Sequence, residues 1–272
     1  MRCVYVDLDS TLLGPGASLL RAADGSFSLL GIRALEACHR AGAEVVLMSG
    51  RRQAQVMEDA RLLGQRSYIF EAGSCLVLEG EEHWLTGELM PGPQGSIHDQ
   101  IEAAGAPALL LETYAGRFEY HDPWHRNREV SHLFRGLVDA SAADELLAAN
   151  GHGALRLVDN GSVYGRSKAL AELPQVRAYH LVPRGASKAA AVARHMRARE
   201  LGPADVIAVG DSREDLETAA HVGTFWFVAN ALERDPTLRE AIAGRSNVRV
   251  AEESYGAGVY EAVVTTLARR GG

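Results

Sequence analysis

The sequence has few cysteines, no excess of basic residues and no long apolar run. Only three of its 272 residues are cysteines, Cys3, Cys38 and Cys75, and their spacing matches no metal-binding motif. We therefore expect reduced structural thiols, as in a cytoplasmic protein. The formal net charge is -7, whereas a nucleic-acid-binding protein usually carries a basic patch. These features argue against a nucleic-acid partner.

Segments that insert into membranes are also lacking. No apolar run reaches the roughly 20 residues that span a bilayer, and the N-terminus lacks the charged-then-apolar pattern of a signal peptide. We predict a cytoplasmic protein, a monomer or homodimer, with a small-molecule partner and no membrane partner. Its hydrophobic content of 47% and charged content of 23% are ordinary for a globular chain.

Short apolar runs alternate with helical patterns in the first and last parts of the chain. Residues 3–6, 44–48 and 68–70 resemble buried strands, and the alternation resumes at a predicted strand 178–182. Ser187 is the expected N-cap of a helix that runs to about residue 200. This pattern predicts a doubly wound, mostly parallel Rossmann-like α/β core over residues 1–90 and 176–272.

The pattern between the two parts is different. It begins with Pro91-Gly92-Pro93, which is typical of a linker. It predicts an inserted α+β cap over residues 91–175, with two hairpins, the second turning through Asp159-Asn160-Gly161. The predicted elements are helices 96–104, with 114 as the alternative end, and 142–149, and strands 117–121, 129–138, 154–158 and 162–164.

Polar residues follow directly after several predicted core strands. Because ligands of open α/β sheets bind beyond the carboxyl ends of the strands, these residues are candidates for a shared site. Two carboxylates two residues apart can divide the work of phosphoryl transfer, one attacking phosphorus and the other acting as acid and then base. The candidates are Asp7, Asp9, Ser49, Lys188, Asp211 and Asp215.

Each candidate also has an ordinary structural explanation. An Asp-x-Asp after a strand is as often a turn or a helix cap, and Lys188 alone reads as a solvated helix residue. Residues 210–215 could be only the acidic first turn of a helix. Their common order and placement at strand ends favours phosphoryl transfer. That chemistry needs positive charge at the site. Mg²⁺ is a suitable source because it binds both carboxylates and phosphate oxygens.

On these residues the sequence resembles the haloacid dehalogenase-like superfamily, in the branch whose cap lies between the second and third motifs. Residues 7–11 (Asp-Leu-Asp-Ser-Thr) match the first motif, Ser49 the second, Lys188 the third, and Gly210-Asp211 with Asp215 the fourth. The cap pattern and residues 70–74 are similar to mannosyl-3-phosphoglycerate, sucrose and Cof-like sugar phosphatases.

The resemblance implies a role for each matched residue. Asp7 would form an aspartyl-phosphate, and Asp9 would protonate the leaving oxygen and then activate water. Mg²⁺ would contact the Asp7 carboxylate, the Asp9 carbonyl and Asp211, with Asp215 nearby. The phosphoryl group would be held by Ser49, Gly50, Arg51 and Lys188.

Two positions depart from the family pattern. Ser10 replaces the commoner glycine, and we expect an ordinary backbone conformation there. Glu214 replaces a common asparagine, and its extra carboxylate could tighten metal binding or alter the water ligands of the metal.

The predicted cap loop of residues 121–128 concentrates polar, aromatic and basic groups. Arg126 or Arg128 could close over the core site and bind a second anionic group of the substrate. The alternative is a solvated loop with Trp124 packed on the cap.

The sequence thus predicts a Mg²⁺-dependent phosphatase of a small phosphorylated metabolite, such as a sugar phosphate or a phosphoglycerate derivative. A phosphotransferase or mutase would use the same intermediate. A non-catalytic metabolite-binding relative is the alternative from another class, although a full set of reacting groups argues against it. A dehalogenase needs neither Asp9 as an acid nor the Asp211 metal ligand.

Overall fold

A computed structural model describes residues 1–93, 95–163, 165 and 167–269 as two sheets with surrounding helices. The strands are β1 (Cys3–Asp7), β2 (Glu44–Met48), β3 (Tyr68–Phe70), β4 (Cys75–Leu78), β5 (Glu81–Trp84), β6 (Phe118–Tyr120), β7 (His132–Gly136), β8 (Leu155–Ser162), β9 (Arg177–Pro183), β10 (Val206–Gly210), β11 (Thr224–Phe227) and β12 (Val248–Val250). The helices are α1 (Leu30–Arg40), α2 (Gln53–Leu62), α3 (Ile97–Ala103), α4 (Ala106–Thr113), α5 (Ala140–Ala149), α6 (Lys188–Ala198), α7 (Arg213–Leu216), α8 (Ala229–Arg234), α9 (Leu238–Ile242) and α10 (Tyr255–Ala268). Within those residue ranges, no helix combines the length and the hydropathy that a bilayer span requires.

The larger sheet has eight strands in the order β12-β11-β10-β1-β2-β3-β4-β5. Neighbours from β12 to β3 pair in parallel, whereas β3, β4 and β5 pair antiparallel. The predicted α/β class with a mostly parallel sheet is confirmed. The edge hairpin β4–β5 was not predicted from the sequence.

Strand β1 lies in the middle of the larger sheet, between β10 and β2. Cys3 and Tyr5 belong to the apolar layer on one face, and Val4 and Val6 belong to the layer on the other. Each of these side chains is at most 1% exposed, because helices cover both faces of the sheet, as expected for a parallel sheet. Asp7 is the one carboxylate on this strand and lies at its carboxyl end.

The smaller sheet has four strands in the order β6-β7-β9-β8, all paired antiparallel. Helices α3, α4 and α5 contribute apolar side chains to the cluster on this sheet. The helical pattern after residue 96 does continue to residue 113, but as two helices, because Gly105 adopts a left-handed φ of 87° between them. The predicted α+β character of this part is confirmed.

Strand β9 corrects the sequence analysis. Residues 178–182 were expected to resume the parallel sheet, but β9 pairs with β7 and β8 in the smaller sheet. All seven of its residues are buried, so its apolar run looks like a core strand in the sequence. The division into a core and a cap at residues 91–175 stays a prediction, and sheet membership would move the end of the cap beyond Pro183.

Strand β8 corrects a second expectation. Residues 155–162 form one strand rather than two strands joined by a turn at 159–161. Its pairing with β9 shifts register between Asp159 and Ser162, and the Asp159 carboxylate accepts hydrogen bonds from Gly161 N at 2.9 Å and Arg177 Nε at 2.7 Å. The Asp-Asn-Gly sequence is thus an irregularity within a strand, as glycine in a strand often indicates. The predicted strand residue 164 lies outside the described residues.

Candidate active site

The candidate residues meet at the carboxyl ends of three adjacent strands. Asp7 ends β1, Ser49 follows β2, and Asp211 follows β10. Lys188 is the first residue of α6, whose N-cap Ser187 accepts a hydrogen bond from Ala190 N at 3.0 Å, as predicted. Because β10, β1 and β2 are neighbours in a parallel sheet, residues far apart in sequence come together at one edge.

Lys188 connects the carboxylates at this edge. Its Nζ donates to Asp7 Oδ1 and to Asp215 Oδ1, each at 2.7 Å, and lies 3.6 Å from Glu214 Oε2. The Lys188 side chain is 1% exposed. The structure therefore places Lys188 in a buried ion cluster, which excludes its interpretation as a solvated helix residue.

The carboxylates of this cluster outnumber its single ammonium group. Burial raises the pKa of Asp7 well above its ordinary value although Lys188 opposes the shift. Burial and then the charge of Asp215 raise the pKa of Asp211 to about 7, and burial raises that of Glu214 to about 7. Burial disfavours the charge of Lys188, but Asp215 and Asp7 together raise its pKa well above the ordinary value. An additional cation would therefore be stabilised here.

Asp215 is fixed by the start of helix α7. Its Oδ2 accepts hydrogen bonds from Ser212 Oγ at 2.7 Å, Ser212 N at 3.0 Å and Asp211 N at 3.2 Å, while Ser212 Oγ accepts from Asp215 N. This reciprocal arrangement is a capping box. A Cβ at Gly210 would lie 2.4 Å from Asp215 Cβ, so only glycine fits before Asp211.

Carboxylate oxygens suited to a hard cation converge beside Lys188. One oxygen from each of Asp7, Asp211 and Asp215 lies within 4.8 Å of the others. Among the described residues, Asp7 Oδ2 and Asp211 Oδ1 accept no hydrogen bond, whereas Asp211 Oδ2 accepts from Arg234 Nη1 at 3.1 Å. An all-oxygen donor set with excess negative charge fits Mg²⁺.

Asp9 is held by Arg51. The Arg51 guanidinium donates to both Asp9 oxygens, at 2.7 and 2.6 Å, and to Asp59 Oδ2 at 2.8 Å. Ser49 Oγ accepts a hydrogen bond from Arg51 N at 3.1 Å. The Asp9 side chain is 52% exposed, so it is accessible from the cavity while Arg51 fixes its orientation.

Ser10 corrects another expectation. Its φ is 66°, in the left-handed region that favours glycine, so the backbone there is not ordinary. Asn230 donates from Nδ2 to Ser10 O at 2.8 Å and accepts from Tyr255 N at 2.9 Å. These hydrogen bonds hold the turn after β1 in a conformation that serine adopts less readily than glycine.

Arg128 joins the loop before β7 to the loop after β2. Its Nη1 donates to Gly50 O at 2.9 Å and to Ser131 Oγ at 3.0 Å, and its Nε donates to Trp124 O at 3.0 Å. Arg128 is 6% exposed. By contrast, Arg126 pairs with Asp122, has a side chain that is 65% exposed and does not border the cavity. The structure brings Arg128, but not Arg126, to the site.

Glu71 connects the loop before β7 to the turn after β3. Its carboxylate accepts hydrogen bonds from the backbone N–H groups of Glu129, Val130 and Ser131 at 2.8, 3.0 and 2.6 Å. It lies within residues 70–74, which carried the resemblance to cap-bearing sugar phosphatases, but the sequence analysis gave it no role. Its fully buried position and its φ of 45° appear only in the structure.

The candidate residues and residues of the smaller sheet line a cavity of about 420 Å³. A Cβ at Gly50 would lie 2.7 Å from His180 Nε2 and 3.1 Å from Asn160 Nδ2, so the loop after β2 meets the smaller sheet directly. Several lining residues were assigned no role at the site from the sequence; they lie in the loop between β6 and β7, in β8, in β9 and in α8, and only the structure brings them to the cavity. They include His121, Trp124, Asn160, His180 and Arg234.

No protein-family model matches the chain. The sequence is 29% identical over 200 residues to a phosphoglycolate phosphatase of Halorubrum lacusprofundi, covering 73% of this chain and 75% of the relative. It is 26% identical over 266 residues to a phosphoglycolate phosphatase of Methanoculleus marisnigri, covering 97% of this chain and 95% of the relative.

Solved structures resemble the whole chain. The sucrose-phosphatase of Synechocystis sp., solved with sucrose and phosphate, aligns with a TM-score of 0.63 at 15% identity and 98% coverage of both chains. A haloacid dehalogenase-like hydrolase from Bacteroides thetaiotaomicron aligns with a TM-score of 0.60 at 16% identity, covering 97% of this chain and 98% of that one. The chain therefore has the fold of the haloacid dehalogenase-like hydrolases, which confirms the predicted resemblance at the level of fold.

Proposed function

We propose that the protein is a Mg²⁺-dependent phosphatase that hydrolyses a small phosphate ester through an aspartyl-phosphate on Asp7. The observation that carries this proposal is the position of Asp7 at the carboxyl end of β1, 2.7 Å from Lys188 Nζ and in the lining of a cavity of about 420 Å³. Two phosphatases among the relatives and the shared fold support the same class of reaction.

Asp7 is the nucleophile in this proposal. Its Oδ1 is held by Lys188, which leaves Oδ2 for attack or for a metal contact. Attack on phosphorus breaks the bond to the ester oxygen and forms the aspartyl-phosphate, and water then attacks phosphorus to release phosphate and regenerate the carboxylate. Lys188 offsets the repulsion between the carboxylate and the phosphate.

Asp9 is the acid and base. Because it is two residues beyond Asp7 and borders the cavity, it can protonate the leaving oxygen and later accept a proton from water. Arg51 holds its carboxylate in place through two hydrogen bonds. Ser49 and the loop at Gly50 border the same part of the cavity and would hold phosphoryl oxygens.

Asp211 would hold the metal through Oδ1, which accepts no hydrogen bond from the described residues, together with the Asp7 carboxylate and the Asp9 carbonyl. Both oxygens of Asp215 are already occupied, by Lys188 and by the cap of α7, so Asp215 would orient the site rather than bind the ion directly. Bound Mg²⁺ supplies positive charge that stabilises the transferring phosphoryl group. The Glu214 carboxylate lies 3.6 Å from Lys188 Nζ, so when ionised it would add negative charge to the cluster.

The substrate is a small phosphorylated metabolite. The cavity volume of about 420 Å³ lies in the lower part of the range for ligand pockets. Burial lowers the pKa of His121 to about 4 and that of His180 well below its ordinary value, so both rings are neutral. Arg128 already donates to Gly50 and Ser131. Trp124 and Asn160 line the same cavity as these rings, and together they suit a hydroxyl-bearing body, such as that of a sugar phosphate.

The test is a hydrolysis screen with and without Mg²⁺ over p-nitrophenyl phosphate, sugar phosphates, phosphoglycerate derivatives and phosphoglycolate. Asp7→Asn should abolish phosphate release, whereas Asp24→Asn, which changes an exposed carboxylate in the loop before α1, should not. Unchanged turnover in Asp7→Asn would overturn the proposal. Conversion of the substrate to an isomeric phosphate ester, without release of inorganic phosphate, would favour a mutase. The predicted cytoplasmic location and oligomeric state stay predictions.

A further inference from the structure

A second cluster of possible metal ligands lies at the opposite end of the larger sheet. Cys3 and Glu44 begin β1 and β2 and are partners in the parallel register, and His195 lies on α6. One donor atom of each residue lies within 4.8 Å of the others. Asp7 is four residues further along β1, which is about 13 Å in a strand, so this cluster is separate from the candidate active site.

His195 has an unpartnered ring nitrogen directed into this cluster. The side chain is 0% exposed, and its Nδ1 lies 2.9 Å from Tyr5 Oη. Its Nε2 has no hydrogen-bond partner among the described residues and lies 3.4 Å from Glu44 Oε1. A buried imidazole held through one nitrogen, with the other facing a carboxylate, is the arrangement of a metal-binding histidine with its outer hydrogen bond.

Glu44 is held at the edge of the cluster. Its Oε1 accepts hydrogen bonds from Ser67 Oγ at 2.7 Å and Arg199 Nη2 at 3.1 Å, whereas Oε2 accepts none from the described residues. The Glu44 side chain is 28% exposed and Cys3 is fully buried. Solvent therefore reaches the cluster at Glu44.

We propose that Cys3, Glu44 and His195 form a zinc site, with water as the fourth ligand. A thiolate, an imidazole and a carboxylate are a ligand set that Zn²⁺ prefers in tetrahedral sites, and the thiolate selects against Mg²⁺. The ion would connect β1, β2 and α6 and stabilise the folded state, because it binds the assembled site and not the separate residues of an unfolded chain.

The binding reaction releases a proton. A cysteine thiol is protonated at neutral pH, so the metal-free Cys3 carries its proton. On binding, the S–H bond breaks, the sulfur lone pair forms the bond to Zn²⁺, and the proton passes to solvent. A simple ion pair between His195 and Glu44 is the competing arrangement, and it would neither require Cys3 nor release its proton.

The test uses Co²⁺ as a spectroscopic substitute for Zn²⁺, in excess Mg²⁺ to saturate carboxylate sites. The proposal predicts a near-ultraviolet thiolate-to-cobalt charge-transfer band at one Co²⁺ per chain, which Zn²⁺ removes by competition. Cys3→Ser should abolish the band. Cys75→Ser should keep it, since Cys75 is equally buried but lies on β4.

A titration of Zn²⁺ then measures affinity and proton release. Tyr5→Phe should keep the cobalt band while weakening Zn²⁺ binding by about 10–100-fold, because it loosens His195 without removing a ligand. Absence of the band in the parent protein would overturn the proposal, whether or not Cys3→Ser folds. A band that persists in Cys3→Ser would overturn it equally.

Discussion

Lys188 Nζ lies 2.7 Å from Asp7 Oδ1, and both side chains are buried although 181 positions separate them in the chain. The contact exists because the first residue of α6 projects toward the carboxyl end of β1. It leaves one ammonium to neutralise Asp7, Asp215 and, at longer range, Glu214. The candidate site is thus an unbalanced buried ion cluster before any ligand arrives.

Removal of this ammonium should destabilise the protein. In Lys188→Met without divalent metal, the free energy of unfolding should fall by about 3–5 kcal/mol, because buried carboxylates lose their partner. Mg²⁺ should restore part of the loss by supplying the missing charge. Urea denaturation with EDTA or Mg²⁺ measures both effects. Lys168→Met, at an exposed position, is the control, and equal stability of the two variants would contradict the prediction.

The left-handed conformation of Ser10 predicts an order of stability among substitutions. Ser10→Gly should be more stable than Ser10→Ala by about 1 kcal/mol, because a Cβ is unfavourable at positive φ. Thermal or urea unfolding of the two variants gives the difference. If the alanine variant proved as stable as the glycine variant, the assigned backbone conformation would be wrong.

Substitutions of Arg128 and Arg126 should have very different effects on stability, although the two residues are only two positions apart. Arg128→Met removes hydrogen bonds to Gly50, Ser131 and Trp124 and should lower the free energy of unfolding by about 1.5–3 kcal/mol. It should also raise KM, since Arg128 borders the cavity. Arg126→Met removes one exposed ion pair and should stay within about 0.5 kcal/mol of the parent. Similar losses in both variants would refute this distinction.

The buried histidine of β7 should make stability depend on pH. Burial lowers the pKa of His132 from an ordinary 6.5 to about 3, so the unfolded chain binds the proton more readily. The contribution of neutral His132 to the free energy of unfolding is fully present above pH 6.5. It is lost as pH falls toward 3, by up to about 1.4 kcal/mol per pH unit. Stability curves of the parent and His132→Gln should therefore converge as pH falls from 7 to 4. Parallel curves would contradict the assignment.

The sequence predicted the candidate site better than it predicted the cap. Asp7, Ser49 and Asp211 stand at the ends of apolar strands, so elementary rules for parallel sheets bring them together. The strand at residues 177–183 was misplaced because burial of every residue gives it the same apolar run as a core strand. His180 and Asn160 line the cavity because β8 and β9 pair in the smaller sheet, a pairing that the sequence pattern did not predict.

Trapping of the phosphorylated enzyme tests the central claim most directly. p-Nitrophenyl phosphate has a leaving group that needs no protonation, so Asp9→Asn should still form the aspartyl-phosphate. Hydrolysis of this intermediate should be slow, because no base at position 9 accepts a proton from the attacking water. Acid quenching with Mg²⁺ present, borohydride reduction and peptide mass spectrometry should then detect homoserine at position 7. It should be absent in the Asp7→Asn, Asp9→Asn double variant. Phosphate release without any modification of Asp7, or a modification at another carboxylate, would contradict the account.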